Sequence, residues 1–344
     1  MFVKRKRSGK LSLNLKPSWR TDVGEYVRGI SSNVHGTRLA VISAASTVFV
    51  FDPKDGRRLW ELPGHGNGVA AASWHKDGCL LATVGHDGHV RIWDTLAGLQ
   101  LWADRCVAAW VERCEFRPDG TLLAVSAGRS VRLYSIDGLL QRDIAEHPST
   151  VADVRWMPDG SELVVARYGG LHFWNPDQAE PARTLNYRGS VLKISISPLA
   201  NFIATADQNS TVHFWRTVDW NDAEMSGFAS PIHSLSWDDS GRYLATDGGS
   251  DAFAWDCSPP GPEERMPTFL KGKSDSLARC VTFAPGRLDC ATGDQNGSIA
   301  LHDVNAPNRC EVDQLDAAIT VLCWGPTSSF LVAGTESGTI QCYA

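Results

Sequence analysis

The chain has 344 residues, 43% of them hydrophobic, and a net charge of −6 from 33 Lys and Arg against 39 Asp and Glu. That composition excludes disordered and low-complexity chains, and the acidic balance argues against a surface built to neutralise many phosphates, so nucleic acid is not the expected partner. Nine cysteines, an odd number with no CxxC pair, indicate neither a disulfide framework nor a zinc site and fit a reducing cytoplasm.

The N-terminus opens on a basic run, Lys4-Arg5-Lys6-Arg7, read as a solvated arm. It has no apolar h-region, and no stretch of about 18 apolar residues follows, so neither export nor a membrane is indicated. Leu11-Ser12-Leu13-Asn14-Leu15 alternates apolar and polar and reads as a strand. From Val27 onward a skeleton recurs. It is clearest over residues 65–94: an apolar strand ending in Trp74, a turn at Asp77-Gly78, a strand from Leu80 to Thr83, a turn at Asp87-Gly88, and a strand closing on Trp93-Asp94. One copy precedes it and six follow, closing on Tyr134, Trp174, Trp215, Trp255, Asp303 and Tyr343. The first turns register at Gly36, Gly78, Gly120, Gly160, Ala200, Gly241, Gly286 and Ser328, spaced 42, 42, 40, 40, 41, 45 and 42 residues apart. A shorter segment follows the third strand, as at Arg58–Leu62, Leu99–Trp102 and Leu139–Ile144, and reads as a fourth, outer strand.

A period of 40–45 residues with a Trp-Asp ending is that of a four-stranded propeller blade. One such unit cannot bury both of its faces, so the units must stack radially and close into a ring. The expected fold is all-β, a single eight-bladed β-propeller of four-stranded antiparallel blades. Its parts are an N-terminal arm and closing strand over 1–22 and repeats at about 23–64, 65–107, 108–146, 147–187, 188–228, 229–274, 275–315 and 316–344. The last copy stops at Tyr343-Ala344 without an outer strand, and Leu11–Leu15 is expected to supply it in the last blade.

These residues resemble the WD-repeat (WD40) family of β-propellers over residues 23–344, loosely its bacterial eight-repeat members. The resemblance implies a hydrogen-bonded structural tetrad within a blade, which the second copy matches with His65, Thr83, Asp87 and Trp93. The fifth and seventh copies carry Asn209 and Asn296 at the Asp position, and the last carries Ser337. The resemblance also implies a partner-binding face around the first-strand starts and second turns. Projected onto that face are Tyr26, Arg28, His86, Trp110, Glu112, Arg129, Tyr168, Arg188, Gln208, His233, Arg279, Gln295 and Glu336, rich in the aromatic and Arg types that dominate interaction hot spots.

Of the 13 Trp, eight end first strands (Trp74, Trp156, Trp237, Trp324) or third strands (Trp93, Trp174, Trp215, Trp255) and are read as core. Trp19, Trp60, Trp102, Trp110 and Trp220 are off those positions, and Trp110 falls on the loop that opens onto the partner face. His86 and His89 flank Asp87 in one turn while Cys79 sits at the other end of the blade, and Cys280 and Cys290 have no second pair, so no metal or cofactor is expected. No nucleophile elbow, phosphate loop or zinc-protease motif is present, and the recurring Asp77, Asp119, Asp159, Asp239 and Asp303 read as turn residues. Residues 257–276 break the period and read either as a partner-specific loop or as a surface insertion.

The expected function is a non-enzymatic, cytoplasmic scaffold that docks a protein or peptide on one propeller face. Two alternatives stand: a small-molecule or enzymatic propeller using its central channel, and nucleic-acid association through the basic arm, residues 4–7.

Overall fold

The computed structural model describes residues 15–107, 110–145, 147–259, 261–263, 265–272, 275–306 and 310–344. Each first strand turns into its second through a tight hairpin whose last residue takes the left-handed conformation. All eight registered turn positions do so, with φ from 64° to 76° at the six glycines and 57° and 55° at Ala200 and Ser328.

Among the described residues, thirty strands form seven antiparallel sheets, six of four strands and one of six. The second repeat shows the common order, a meander of Val69–Trp74, Leu80–Gly85, His89–Asp94 and Leu99–Arg105. The expected eight-bladed ring is thereby corrected to one of seven sheets, because the fourth and fifth repeats share one. In it, Leu163–Trp174 pairs through its first half with Val151–Trp156 and through its second half with Arg183–Ile196. Arg183–Ile196 continues into pairing with Phe202–Asp207. The cause is local. The Asp-Gly turn of the second repeat is replaced by Tyr168-Gly169-Gly170, and a Cβ on Gly170 would overlap the Leu185 carbonyl, so two extended segments lie against each other there. Gly189, at the junction inside the second long strand, keeps an ordinary extended backbone and lets the strand run on.

The ring is closed by Pro17–Asp22, which pairs with Thr339–Tyr343 (Trp19 opposite Cys342, Asp22 opposite Thr339) as the outer strand of the last sheet. The closing strand therefore lies further along the chain than the Leu11–Leu15 segment expected to form it. Residues 11–14 lie outside the described residues, and Leu15 donates its backbone N–H to Glu311 at 3.1 Å. Proline is tolerated at the first position of an edge strand because no ladder donor is needed there. Trp19 then fills the same niche as two indoles of neighbouring outer strands. Its ring packs on Gly56 as Trp60 packs on Gly98 and Trp102 on Gly138. The three Nε1–H groups donate to the carbonyls of Pro53, Thr95 and Ile136 at 2.7–2.9 Å.

The apolar core is divided rather than central. Eight clusters of buried side chains lie one at each junction between successive repeats, the last joining Val27 and Phe51 to Val332 and Ile340. With about 1.5–3 kcal/mol for each large side chain removed from water, these junctions carry most of the stability. Polar groups reinforce them. Trp74, Trp156, Trp237 and Trp324 each donate an indole N–H to a carbonyl of the preceding repeat at 3.2–3.3 Å. Asn33, His75 and Arg117 bond the carbonyls of Gly78, Gly120 and Gly160, the turn glycines of the following repeats.

The described residues of the segment 257–276 are tied down. They supply the outer strand Thr268–Leu270 of the sixth repeat, Arg265 donates to the carbonyls of Asp256 and Ser258, and Glu263 pairs with Arg216 at 3.0 Å.

Candidate interaction face and axial channel

Six first strands carry a bulge near the second turn, so that one residue, Arg28, Ala70, Ala152, Leu192, Arg279 or Thr320, has no cross-strand partner. A bulge re-aims its side chain and bends the strand. Glu112 and His233 take the equivalent positions in the third and sixth repeats, where the strands start later. Four of the sequence-selected residues, Arg28, Glu112, His233 and Arg279, thus share one position on one end of the ring. The second turns reach the same end. Their backbone N–H groups at Ala44, His86, Gln208, Gln295 and Glu336 donate to the carbonyls of Tyr26, Gly68, Ser190, Leu277 and Ala318 at 2.8–3.2 Å. This recurring bond fixes the loops of the face to the first-strand starts.

Two groups of selected residues are brought together. The Trp110 ring lies 5.2 Å from that of His86, whose Nε2 is 3.6 Å from a Glu112 carboxylate oxygen, and Trp110 nevertheless remains 63% exposed. Arg279 and Glu336 approach to 4.0 Å across the seventh and eighth repeats. Tyr168 and Tyr26 stand exposed (59% and 42%) away from these groups. Arg129 is held by its bond to the His147 carbonyl, and the His233 backbone N–H and imidazole both face the buried Asp247. Arg188, Gln208 and Gln295 are exposed side chains at the same end.

The set His65, Asp87, Thr83 and Trp93 forms a connected chain. His65 Nδ1 bonds Asp87 at 2.8 Å, and its Nε2 lies 3.1 Å from the Thr83 hydroxyl, which also accepts from the Trp93 indole at 2.9 Å. Burial pulls the His65 pKa down to about 4, keeping the ring neutral. Burial alone would raise the Asp87 carboxyl, but hydrogen bonds from Arg91 and His65 outweigh it and hold it well below the usual range.

Besides Arg28, the axial channel holds charged residues that the repeat pattern did not single out. A cavity of about 390 Å³ touches the first strands of repeats one to five, which only the axis of the ring allows, and Arg28, Arg113, Arg155 and Lys193 line it. Arg155 and Lys193 also line a second cavity of about 320 Å³ that reaches Glu115 and Leu235. Asp153, fully buried, lies 3.5 Å from Arg113 and 3.6 Å from Arg155, and Glu115 lies 3.3 Å from Arg155. Asp153 holds the Arg155 guanidinium above its ordinary pKa, whereas burial lowers that of Lys193 and raises that of Glu115. These residues stand seven or five positions before the turn residue, where the first two repeats carry Gly29, Ser31, Ala71 and Ser73. The signal was a departure from small residues on an inner strand. Part of it is stitching. The side chains of Ser73, Glu115, Asp153, Ser234 and Ser236 each accept a backbone N–H of the next repeat at 2.6–3.1 Å.

Elsewhere, a cavity of about 520 Å³ lies at the first-turn end of the ring between the fifth and sixth repeats, lined by Phe202, Val218, Arg242 and Pro259 among others. Among the described residues no group of three His, Cys, Asp or Glu side chains is placed to hold a metal ion, and no helix is long and apolar enough to cross a membrane.

Radially stacked meanders closed by a strand from the other end of the chain define a β-propeller. The same shape is found in the crystal structure of the computationally designed Ika8 protein, which superimposes with a TM-score of 0.79 at 16% identity over 96% of this chain and 99% of that one. The family model of the WD domain, G-beta repeat, matches residues 56–94, 179–216 and 311–343, so the chain carries WD40 repeats. It is similar to telomerase protein component 1 of Rattus norvegicus, 23% identical over 91% of this chain and 12% of that protein. It is also similar to protein HIR1 of Cryptococcus neoformans var. neoformans serotype D, 25% identical over 79% of this chain and 37% of that protein. The chain thus spans well under half the length of these relatives. WD40 propellers of this kind are typically interaction scaffolds or regulators.

Proposed function

We propose that the chain is a non-enzymatic cytoplasmic scaffold that docks a protein or peptide on the face carrying the strand bulges and second turns. The observation that supports this most is Trp110. A large aromatic braced on His86, itself fixed by the backbone bond to Gly68, stays exposed on that face. Ordered aromatics lose little entropy on binding and dominate hot spots. Tyr26, Tyr168 and Leu192 add exposed apolar area at the same end. The basic run Lys4–Arg7, on which nucleic-acid association would rest, lies outside the described residues.

The test is capture from the source organism with three baits: the full chain, a variant carrying Trp110→Ala, Tyr168→Ala and Arg188→Ala, and a variant of the opposite end carrying Leu199→Ala and Val218→Ala. The expected result is a partner held by the first and third baits and lost at least tenfold from the second. A partner retained equally by the second bait contradicts the reading.

A further inference from the structure

The axial cavity is lined by four cations, Arg28, Arg113, Arg155 and Lys193, and by no carboxylate; the rest of its wall is small or apolar, with Gly29, Ala71 and Ala72 leaving the space open. Arg28 is exposed and the Arg113 and Arg155 side chains keep 34% and 35% of their surface accessible, so these like charges face one shared space and repel one another there unless partnered. Nearby acids answer this only in part. Asp153 lies between Arg113 and Arg155, yet its two oxygens also accept the backbone N–H groups of Val154 and Ile194, and Glu115 spends one oxygen on the N–H of Trp156. Lys193 gives one of its three protons to the His233 carbonyl at 2.8 Å, and Arg28 at the mouth makes no ion pair or side-chain hydrogen bond among the described residues. Convergent guanidinium forks beside an ammonium, in a cavity of ligand size, suit a tetrahedral oxyanion with more than one charge better than a single carboxylate.

We infer that the axial channel is a binding site for a phosphate-bearing small molecule, with Arg28, Arg113, Arg155 and Lys193 as its charge partners. The ligand enters from the end of the ring that carries Arg28. Its oxyanion supplies the pairing that nearby acids give these cations only in part. The channel opens on the docking face and shares Arg28 with it, but neither Trp110 nor Tyr168 lines the cavity, so loss of anion binding and loss of a docked partner are read by different variants.

Titration calorimetry of the full chain with tripolyphosphate at constant ionic strength tests it. Saturable one-to-one binding is expected, weakened at least tenfold in Arg28→Ala and in Arg113→Gln and unchanged in Trp110→Ala and Arg188→Ala. Arg28 is exposed and unpaired, so its substitution leaves folding intact and keeps the test readable. Absence of saturable binding by the wild-type chain, or equal affinity in the Arg28→Ala, Arg113→Gln double variant, overturns the proposal. A second arm separates the sources of the phosphate. Binding of a phosphoserine peptide, but not of its unphosphorylated form or of tripolyphosphate, overturns the small-molecule assignment in favour of a partner's phosphate.

Discussion

Deleting residues 1–22 lowers the melting temperature by about 10 °C or more, as read by calorimetry or circular dichroism. The deletion removes the outer strand of the last sheet and leaves Thr339–Tyr343 as an open edge. It also removes Trp19, whose ring covers Gly56 of the first repeat while its N–H reaches the Pro53 carbonyl, so the junction between the two ends of the chain loses an indole, a hydrogen bond and a ladder together. Trp19 is partly buried, so its loss alone costs less than the roughly 3–5 kcal/mol of a fully buried Trp, and each kcal/mol shifts the midpoint of a domain of this size by about 2 °C. Trp19→Ala keeps the strand and is expected to show about half of the effect. A deletion variant that melts with the wild type removes the closure from the account.

Stability also falls steeply between about pH 6.5 and pH 4. Burial is the main cause of the lowered pKa of His65, His147, His172 and His302, each brought down to about 4, with neighbouring cationic groups adding to the effect at His147 and His172. A histidine whose folded pKa lies below its unfolded value near 6.5 is neutral in the fold and protonated in the unfolded chain across that window. The unfolded state then binds more protons, so the stabilisation is complete above pH 6.5 and is lost as pH falls toward 4. For the fully buried His65 and His302 the loss is roughly 3 kcal/mol each. Denaturant melts at pH 7, 5.5 and 4.5 check this. His302→Gln is expected to reduce the slope of stability against pH by about one proton, and an unchanged slope removes His302 from the explanation.

Much of this was legible in the sequence because the repeat writes its geometry into residue types. The eight turn positions read from Asp-Gly and related pairs are the positions that adopt the left-handed backbone, even where the residue is Ala200 or Ser328. The residues of the face were found from their place in the repeat, although the bulge that presents Arg28 and Arg279 left no mark of its own, since the bulged position is Arg, Ala, Leu or Thr in different copies. The closing strand was misplaced for a physical reason. Leu11–Leu15 alternates cleanly, whereas Pro17–Asp22 holds a single large apolar residue, Trp19, and is chosen by the niche over Gly56 rather than by its own pattern. The shared sheet of the fourth and fifth repeats was hidden because extended backbone through Gly189 does not differ in composition from a loop. Apart from Arg28, the channel charges were missed because they come from the third, fourth and fifth repeats and converge only when the ring is closed.

The central claim is that the bulge-bearing face is where a partner sits. Hydroxyl-radical footprinting of the captured complex against the free protein measures this directly. The account expects Trp110, Tyr168 and Tyr26 to lose most of their reactivity in the complex, while Val218 and Leu199, exposed at the opposite end of the ring, keep theirs. Protection of Val218 and Leu199 with Trp110 and Tyr168 still reactive would place the partner on the other end and contradict it.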